Sequence, residues 1–452
     1  MYKSALVVGG GIAGIQAALD LAEMRIQTCV VESGPSIGGR MAQLDKTFPT
    51  NDCAMCILSP KLVEAASHPY IRIITDADIQ SISGEAPNFH VTVLKRPRFV
   101  DAEKCTGCGV CMTKCPVRIP DKYNKGLTKT KCIHIPFPQA VPAIPLIDKE
   151  TCIYLNRGKC RVCEKFCELG AVDFEQKEEF LDLDVGTIIL AAGSAEFDAT
   201  LKDEYGYKTF PNVMTSIEYE RILSASGPTA GHVQRPSDGK EPRKIAFLQC
   251  VGSRDMQVGN PYCSAICCMQ AAKDAIITKE HSPDVDVAIF NMDIRAYGKH
   301  FDKFIDRARD EHGTRFIHGR ISSVEVDPRT ENLIIRHNTD EGGLIEEPFE
   351  LVVLSVGLES SSEQRDLARR FGIKLNGDGF IASDAFAPVG TAKPGIFVCG
   401  SLAGPKDIPE SVMEASAAAS AAAATVADYE AKIIKREFPP ERDIRGEPTR
   451  VG

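Results

Sequence analysis

Short apolar runs separated by glycine breaks open the chain. Ala5-Leu-Val-Val8 reads as a buried strand, Gly9 to Gly14 as a turn, Ile15 to Met24 as a helix, and Thr28-Cys-Val-Val31 as a second strand closed by Glu32. Ile71 to Ile74 and His90 to Leu94 read as short strands around a turn from Gly84 to Asn88. Thr187-Ile-Ile-Leu190, leading to Gly193, and Ile396-Phe-Val398, leading to Gly400, read as strands returning to the first sheet. A second α/β unit is predicted from Lys244-Ile-Ala-Phe-Leu248, a strand at Asp286 to Phe290, an amphipathic helix at Phe301 to Arg309 and a closing strand from Leu351. Ser411 to Ala427 is mostly alanine, broken by Glu414 and serines; alanine forms helices and is only weakly apolar, so this is a packed helix rather than a membrane span.

These patterns set the expected boundaries. Residues 1–100, 177–200 and 357–430 build the first domain, 101–176 interrupt it, 201–243 connect, 244–356 form the second domain, and 431–452 are a charged tail. Within the interruption, Ile135 to Pro145 is too rich in proline for a helix or a central strand. No internal repeat appears beyond paired cysteine sets.

Composition narrows the class. At 452 residues, with 43% hydrophobic and 25% charged residues, the chain is an ordinary globular protein of about three domains. A net charge of −9 argues against a nucleic-acid face. Seventeen cysteines without a signal peptide point to a cytoplasmic protein whose thiols bind metal rather than pair as disulfides.

Eight of those cysteines form two sets, Cys105-x2-Cys108-x2-Cys111-x3-Cys115-Pro116 and Cys152-x7-Cys160-x2-Cys163-x3-Cys167. The first is the bacterial ferredoxin run, in which the fourth thiolate crosses to the other cluster. It assigns Cys105, Cys108, Cys111 and Cys167 to one [4Fe–4S] cluster, and Cys152, Cys160, Cys163 and Cys115 to a second. Structural zinc is the competing reading, since Cys-x2-Cys pairs also make tetrahedral sites.

Gly9, Gly11 and Gly14 between strand and helix allow a pyrophosphate to approach the helix N-terminus, and Glu32 stands where an acid accepts from a ribose diol. Gly38-Gly39-Arg40 resembles the second glycine pair of FAD-binding disulfide-reductase-like flavoproteins. Gly193 and Gly400 would end strands against the same cofactor. Ser401 stands where that family usually has an aspartate for the ribityl chain. The stretch Gly404-Pro-Lys-Asp-Ile-Pro409 would bring a helix N-terminus, with Ile408 and Lys406, to the flavin's pyrimidine edge. Lys406 is equally readable as a solvated surface lysine.

In the second domain, Gln249-Cys-Val-Gly-Ser253 lacks the glycines of a dinucleotide loop, which disfavours NAD(P)H. Cys250, Cys263, Cys267 and Cys268 follow, read as ligands of a third [4Fe–4S] cluster. Buried thiols and a redox dithiol are the alternatives. Cys53-Ala-Met-Cys56 is open among a redox disulfide, two ligands of a cluster completed by a neighbouring protein chain, and packed thiols. Cys29, Cys132 and Cys399 are read as packing residues.

Six stretches carry a resemblance to the flavin-bearing A-type subunits of heterodisulfide reductases: Gly9 to Gly14, Asp45 to Cys56, Lys104 to Gly109, Gln249 to Arg254, Asn260 to Ser264 and Gly404 to Ser411. The resemblance implies an α/β fold of two Rossmann-like, thioredoxin-reductase-like domains with an inserted 2[4Fe–4S] ferredoxin domain. It implies FAD as cofactor and electron bifurcation or confurcation in a multisubunit complex. Partners would be B- and C-type subunits, a hydrogenase, formate dehydrogenase or NADH-linked module, and ferredoxin, with a homodimer plausible. Longer members add a C-terminal ferredoxin domain. An NAD(P)H-dependent disulfide reductase using Cys53 and Cys56 is the enzymatic alternative, and a scaffold whose clusters only hold the fold is a further one.

Overall fold

The computed structural model describes residues 3–339 and 342–426; the expected tail at 431–452 lies outside them. Five parallel strands form the first sheet, in the spatial order Ile396–Val398, Thr187–Leu190, Ser4–Val8, Gln27–Val31, Ile71–Ile74. The chain leaves this sheet on two long excursions, after Ile74 and after Leu190, and returns from each, so residues from its beginning, middle and end share one core. On one face Ala13, Ala17, Ala18 and Leu21 of the helix Ile12–Glu23 pack against Ala415, Ala418, Ala419 and Ala422 of the helix Ile408–Val426. Alanine on both surfaces lets the helices lie close together, and both bring their N-termini to the carboxyl ends of the strands.

The turn at Gly84 to Asn88 joins a different pair of strands from the one expected. Ile71–Ile74 belongs to the parallel sheet, and the hairpin partner of Asn88–Lys95 is Ala77–Glu85, a strand not expected from the sequence. Glu179–Val185 completes this antiparallel sheet.

A second correction concerns residues 201–243, expected to be a connection. They supply the edge strand Val213–Thr215 of the second sheet and the fully buried helix Ser216–Leu223, so the second domain begins well before Lys244. That sheet runs Val213–Thr215, Leu351–Val356, Lys244–Val251, Asp286–Asn291, Arg315–His318, all parallel, with a three-stranded antiparallel sheet beside it.

Residues 101–176 contain three helices of five residues or fewer, Val110–Lys114, Ile153–Arg157 and Val162–Lys165, and two short strand pairs. Their interior joins Cys111, Cys115, Cys132 and Cys152 to Phe99, Val100, Ile133, Ile147 and Phe174, so sulfur takes much of the place hydrocarbon has in an ordinary core. The proline-rich crossing forms no helix; Phe137 and Ala140 pack against Ile37, Met41 and Leu58, fastening the insert to the first domain.

Candidate functional site

A cleft of about 820 Å³ opens at the carboxyl ends of the first sheet, the usual ligand position in open α/β folds. Gly9, Gly11, Glu32, Gly39, Arg40, Gly193, Gly400, Ser401 and Lys406 line it. Gly14 lies beneath the turn: a Cβ there would fall 1.9 Å from the Gly9 carbonyl, and one on Gly9 2.4 Å from the Ala191 carbonyl. Gly11 differs, because its Cβ would meet nothing nearer than 4.0 Å, at Gly39. It faces the open cleft and is the helix N-cap, with no side chain capping the N–H groups. Two glycines therefore shape the turn and one leaves room for a ligand. Unpaired donors at a helix start, with room above them, fit a pyrophosphate.

Glu32 stands at the far side of the turn. Its carboxylate accepts from the Gly10 N–H at 2.6 Å and the Gly34 N–H at 2.7 Å, which fixes it while leaving acceptor capacity toward the cleft. Gly38 donates to the Gly10 carbonyl at 2.7 Å and holds the second glycine pair against the first. Arg40 donates to the Ser194 carbonyl at 2.9 Å and faces Glu196 at 3.4 Å, and Glu196 also binds Lys125 of the insert at 3.1 Å.

Lys406 is held by Glu414 at 3.1 Å with only 19% of its side chain exposed, so it is no free surface lysine. Glu414 in turn accepts from the Gly400 N–H at 3.1 Å. Burial raises the Glu414 carboxyl, and Lys406 opposes that rise. The alanine-rich helix starts with its own cap: Asp407 accepts from the Glu410 N–H at 2.8 Å and Glu410 accepts from the Asp407 N–H at 3.1 Å. Part of the donor set expected to face a flavin is therefore occupied by Asp407, which itself lines the cleft. Ile408 faces an adjoining cavity of about 90 Å³, shared with Arg40, Leu44, Glu196 and Lys273, rather than the main cleft.

The helix Ser362–Phe371 has no counterpart among the expected elements. It brings Glu363, Gln364, Asp366, Leu367 and Arg370 to the cleft wall beside Asp78, Ile79 and Gln80. Its signal in the sequence is the capping box Ser361-x-x-Gln364.

The cysteines of the insert lie close enough to influence one another. Burial raises the Cys111 thiol to about 11, and Cys105, Cys108 and Cys167 add to the rise. Burial likewise raises Cys163 to about 12, with Cys152, Cys115 and Cys111 adding to the rise, so the two sets adjoin. Cys115, Cys152, Cys160 and Cys163 line one small cavity. Cys132, expected to be a packing residue, lies in the same cavity, and its hydrogen bond to Cys115 lowers the Cys115 thiol and raises its own. Mutual repulsion among thiolates is what a bound cationic centre removes. Among the described residues, no three Cys, His, Asp or Glu side chains converge on a point that would hold a single metal ion.

In the second domain the strand Lys244–Val251 carries a register shift before Val251, and Cys250 takes a φ of +62°. Cys267 and Cys268 are the first two residues of the helix Cys267–His281, which has no side-chain cap, and Cys263 lies in the loop between. Burial holds Cys267 well above the usual thiol range, with Cys250, Cys268 and Cys263 adding to the rise. All four thus gather where a strand–turn–helix unit would hold a phosphate, and a helix N-terminus suits thiolates as it suits phosphate. Ser253 and Ser264, at most 1% exposed, tie the loop together: the Ser264 N–H donates to Ser253 Oγ at 3.0 Å and the Leu358 N–H to Ser264 Oγ at 2.9 Å. Arg254 stands beside Cys250, paired with Asp293. Sequence reasoning assigns Ser253, Ser264 and Arg254 no role, although they flank the cysteines directly.

Cys53 and Cys56 are exposed, at the start of the helix Ala54–Ser67, where Cys53 Sγ accepts from the Cys56 N–H at 3.2 Å. Neither lines the cleft.

The sequence matches the pyridine nucleotide-disulphide oxidoreductase family over residues 3–422. It is 47% identical to the A-type iron–sulfur subunit of the CoB–CoM heterodisulfide reductase of Methanocaldococcus jannaschii, over 98% of this chain and 67% of that one. It is 49% identical to the A-type subunit of the H2/formate:CoB–CoM heterodisulfide, ferredoxin reductase of Methanococcus maripaludis, over 91% of this chain and 62% of that one. The chain thus spans roughly two thirds of the length of these relatives. In fold it is similar to the thioredoxin reductases of T. acidophilum (TM-score 0.52, 12% identity, 93% of this chain and 97% of that one) and Lactococcus lactis (TM-score 0.51, 15% identity, 94% and 99%).

Proposed function

Because this chain belongs to the family of A-type heterodisulfide reductase subunits, among the pyridine nucleotide-disulphide oxidoreductases, we propose that it is the FAD-bearing iron–sulfur electron-transfer component of a heterodisulfide-reductase-like complex. The observation that carries this reading is the exchange in the second domain: four cysteines occupy the strand–turn–helix position at which a nicotinamide carrier would be bound. FAD, when bound, accepts electrons in pairs and releases them singly, and each cubane carries one. The proposed activity divides an electron pair between a low-potential route to ferredoxin and a higher-potential acceptor, or runs that division in reverse.

The residues have separable duties. Gly11 and the free N–H groups of the helix Ile12–Glu23 seat the pyrophosphate, and Glu32 takes the ribose. Arg40 and Lys406, each held by a carboxylate, set positive charge along the cleft. Cys105, Cys108, Cys111, Cys115, Cys152, Cys160, Cys163 and Cys167 hold two clusters forming the low-potential exit. Cys250, Cys263, Cys267 and Cys268 hold the third, on the other branch.

Anaerobic purification followed by iron, acid-labile sulfide and FAD analysis tests the assignment. About twelve irons and one FAD per chain support three cubanes, whereas about eight irons remove the second-domain cluster. The directional part fails if redox titration places the insert clusters at higher potential than the third. Cys53→Ser with electron transfer intact eliminates the disulfide-reductase alternative, against which the position of Cys53 and Cys56 outside the cleft lining already weighs.

A further inference from the structure

Resting on the reading of the insert as the electron exit, we propose that the face bearing Val110, Phe166 and Leu169 is the docking surface for a small acidic electron carrier of the ferredoxin type. These three side chains are 41%, 48% and 54% exposed. The helices Val110–Lys114 and Val162–Lys165 touch, and Lys114 Nζ stands 5.0 Å over the Phe166 ring, so the apolar positions form one patch. The patch adjoins the first cysteine set: Cys108 is exposed, Val110 precedes Cys111, and Phe166 and Leu169 bracket Cys167.

Charge identifies the occupant. The chain carries a net −9, yet residues 101–176 hold twelve lysines and arginines against nine aspartates and glutamates, of which Glu168 lies within the patch itself. Arg161 is neutralised by Glu164. Lys114, Arg157, Lys159 and Lys165 are exposed and form no ion pair with any described residue. A basic rim around a small apolar centre, on an otherwise acidic protein, fits a transient acidic partner: the charges steer the encounter, and the apolar centre excludes water. In each encounter one electron passes from the protein to the oxidised carrier, with no proton or bond exchanged.

The test uses the anaerobic holoprotein titrated calorimetrically with a small acidic 2[4Fe–4S] ferredoxin. The paired substitutions Lys114→Glu and Lys165→Glu should weaken binding roughly tenfold or more and reduce its salt sensitivity. Lys299→Glu with Lys303→Glu, the same charge change on the second domain, should leave binding within about twofold. Iron content and cluster spectra of each variant establish that the insert is intact. Equal weakening by both pairs, or none by the first, overturns the proposal. It is also overturned if the first pair abolishes self-association of the chain without affecting ferredoxin, which would make a second copy the occupant. Photoreduction of the flavin separates this from the parent reading. Insert clusters that become reduced while ferredoxin binding ignores the patch refute the docking surface alone; clusters that stay oxidised refute the electron exit.

Discussion

Lys273 and Glu220 form an ion pair with no more than 1% of either side chain exposed, on two helices of the second domain that face a loop of the first. Glu220 also accepts from the Asp45 N–H at 3.0 Å, and Lys273 donates to the Lys46 carbonyl at 3.2 Å. Asp274 sits 3.1 Å from the same ammonium, its carboxyl pushed well up by burial and by Glu220. The pair therefore bolts one domain to the other beside the cavity that adjoins the main cleft.

Removing one member should be costly. Lys273→Met strands two carboxylates in a buried site and should destabilise the protein by about 3–5 kcal/mol, whereas Lys273→Met with Glu220→Leu should recover much of that. Denaturant midpoints of the three proteins check this; a single variant as stable as its parent would remove the bolt.

Gly11 and Gly14 should fail differently. Gly14→Ala drives a methyl into the Gly9 carbonyl and should lower stability and flavin content together. Gly11→Ala has space in the protein itself, so it should fold normally and lose FAD affinity. Thermal unfolding paired with FAD per chain distinguishes the two.

Lys406→Met deletes a cation held at the cleft wall. The flavin midpoint potential should fall by roughly 30 mV, a tenfold shift for a two-electron couple, with FAD content retained. Spectroelectrochemical titration measures it; an unchanged potential places Lys406 outside the flavin's field.

An acid-sensitive joint lies elsewhere in the second domain. Burial would raise the Glu347 carboxyl, but Lys244 at 2.6 Å, Arg315 at 2.9 Å and His337 at 2.8 Å outweigh it and hold it below its ordinary value. A depressed carboxyl stabilises the fold fully above its unfolded pKa and loses that contribution as pH falls through the folded value. The Tm gap between wild type and Glu347→Gln should thus be widest near neutrality and close below about pH 4.

What is legible in the sequence comes from residues whose spacing has one physical use. Gly9, Gly11 and Gly14 between a strand and a helix, and cysteines at x2-x2-x3, leave few alternatives. The helix Ser216–Leu223 escapes such a reading because Glu218, Glu220 and Arg221 look solvated in sequence. Each is buried against partners far along the chain or across a turn: Glu218 binds Lys208, Glu220 binds Lys273, and Arg221 binds Asn124. Ala77–Glu85 escapes it because Gln80, Ser81, Ser83 and Gly84 dilute its apolar alternation. Ser362–Phe371 has too few apolar residues to announce a helix, and only its cap does so.

The loop from Cys250 to Cys268 carries one more consequence. A nicotinamide pocket chooses its reductant by shape and by the concentration of a diffusing molecule, so a few side chains can change its specificity. Ligands fixed in the fold choose nothing by themselves. On the proposed reading, what this protein is reduced by, and what it reduces, is decided by which surfaces fit against it, and its specificity is a property of assembly.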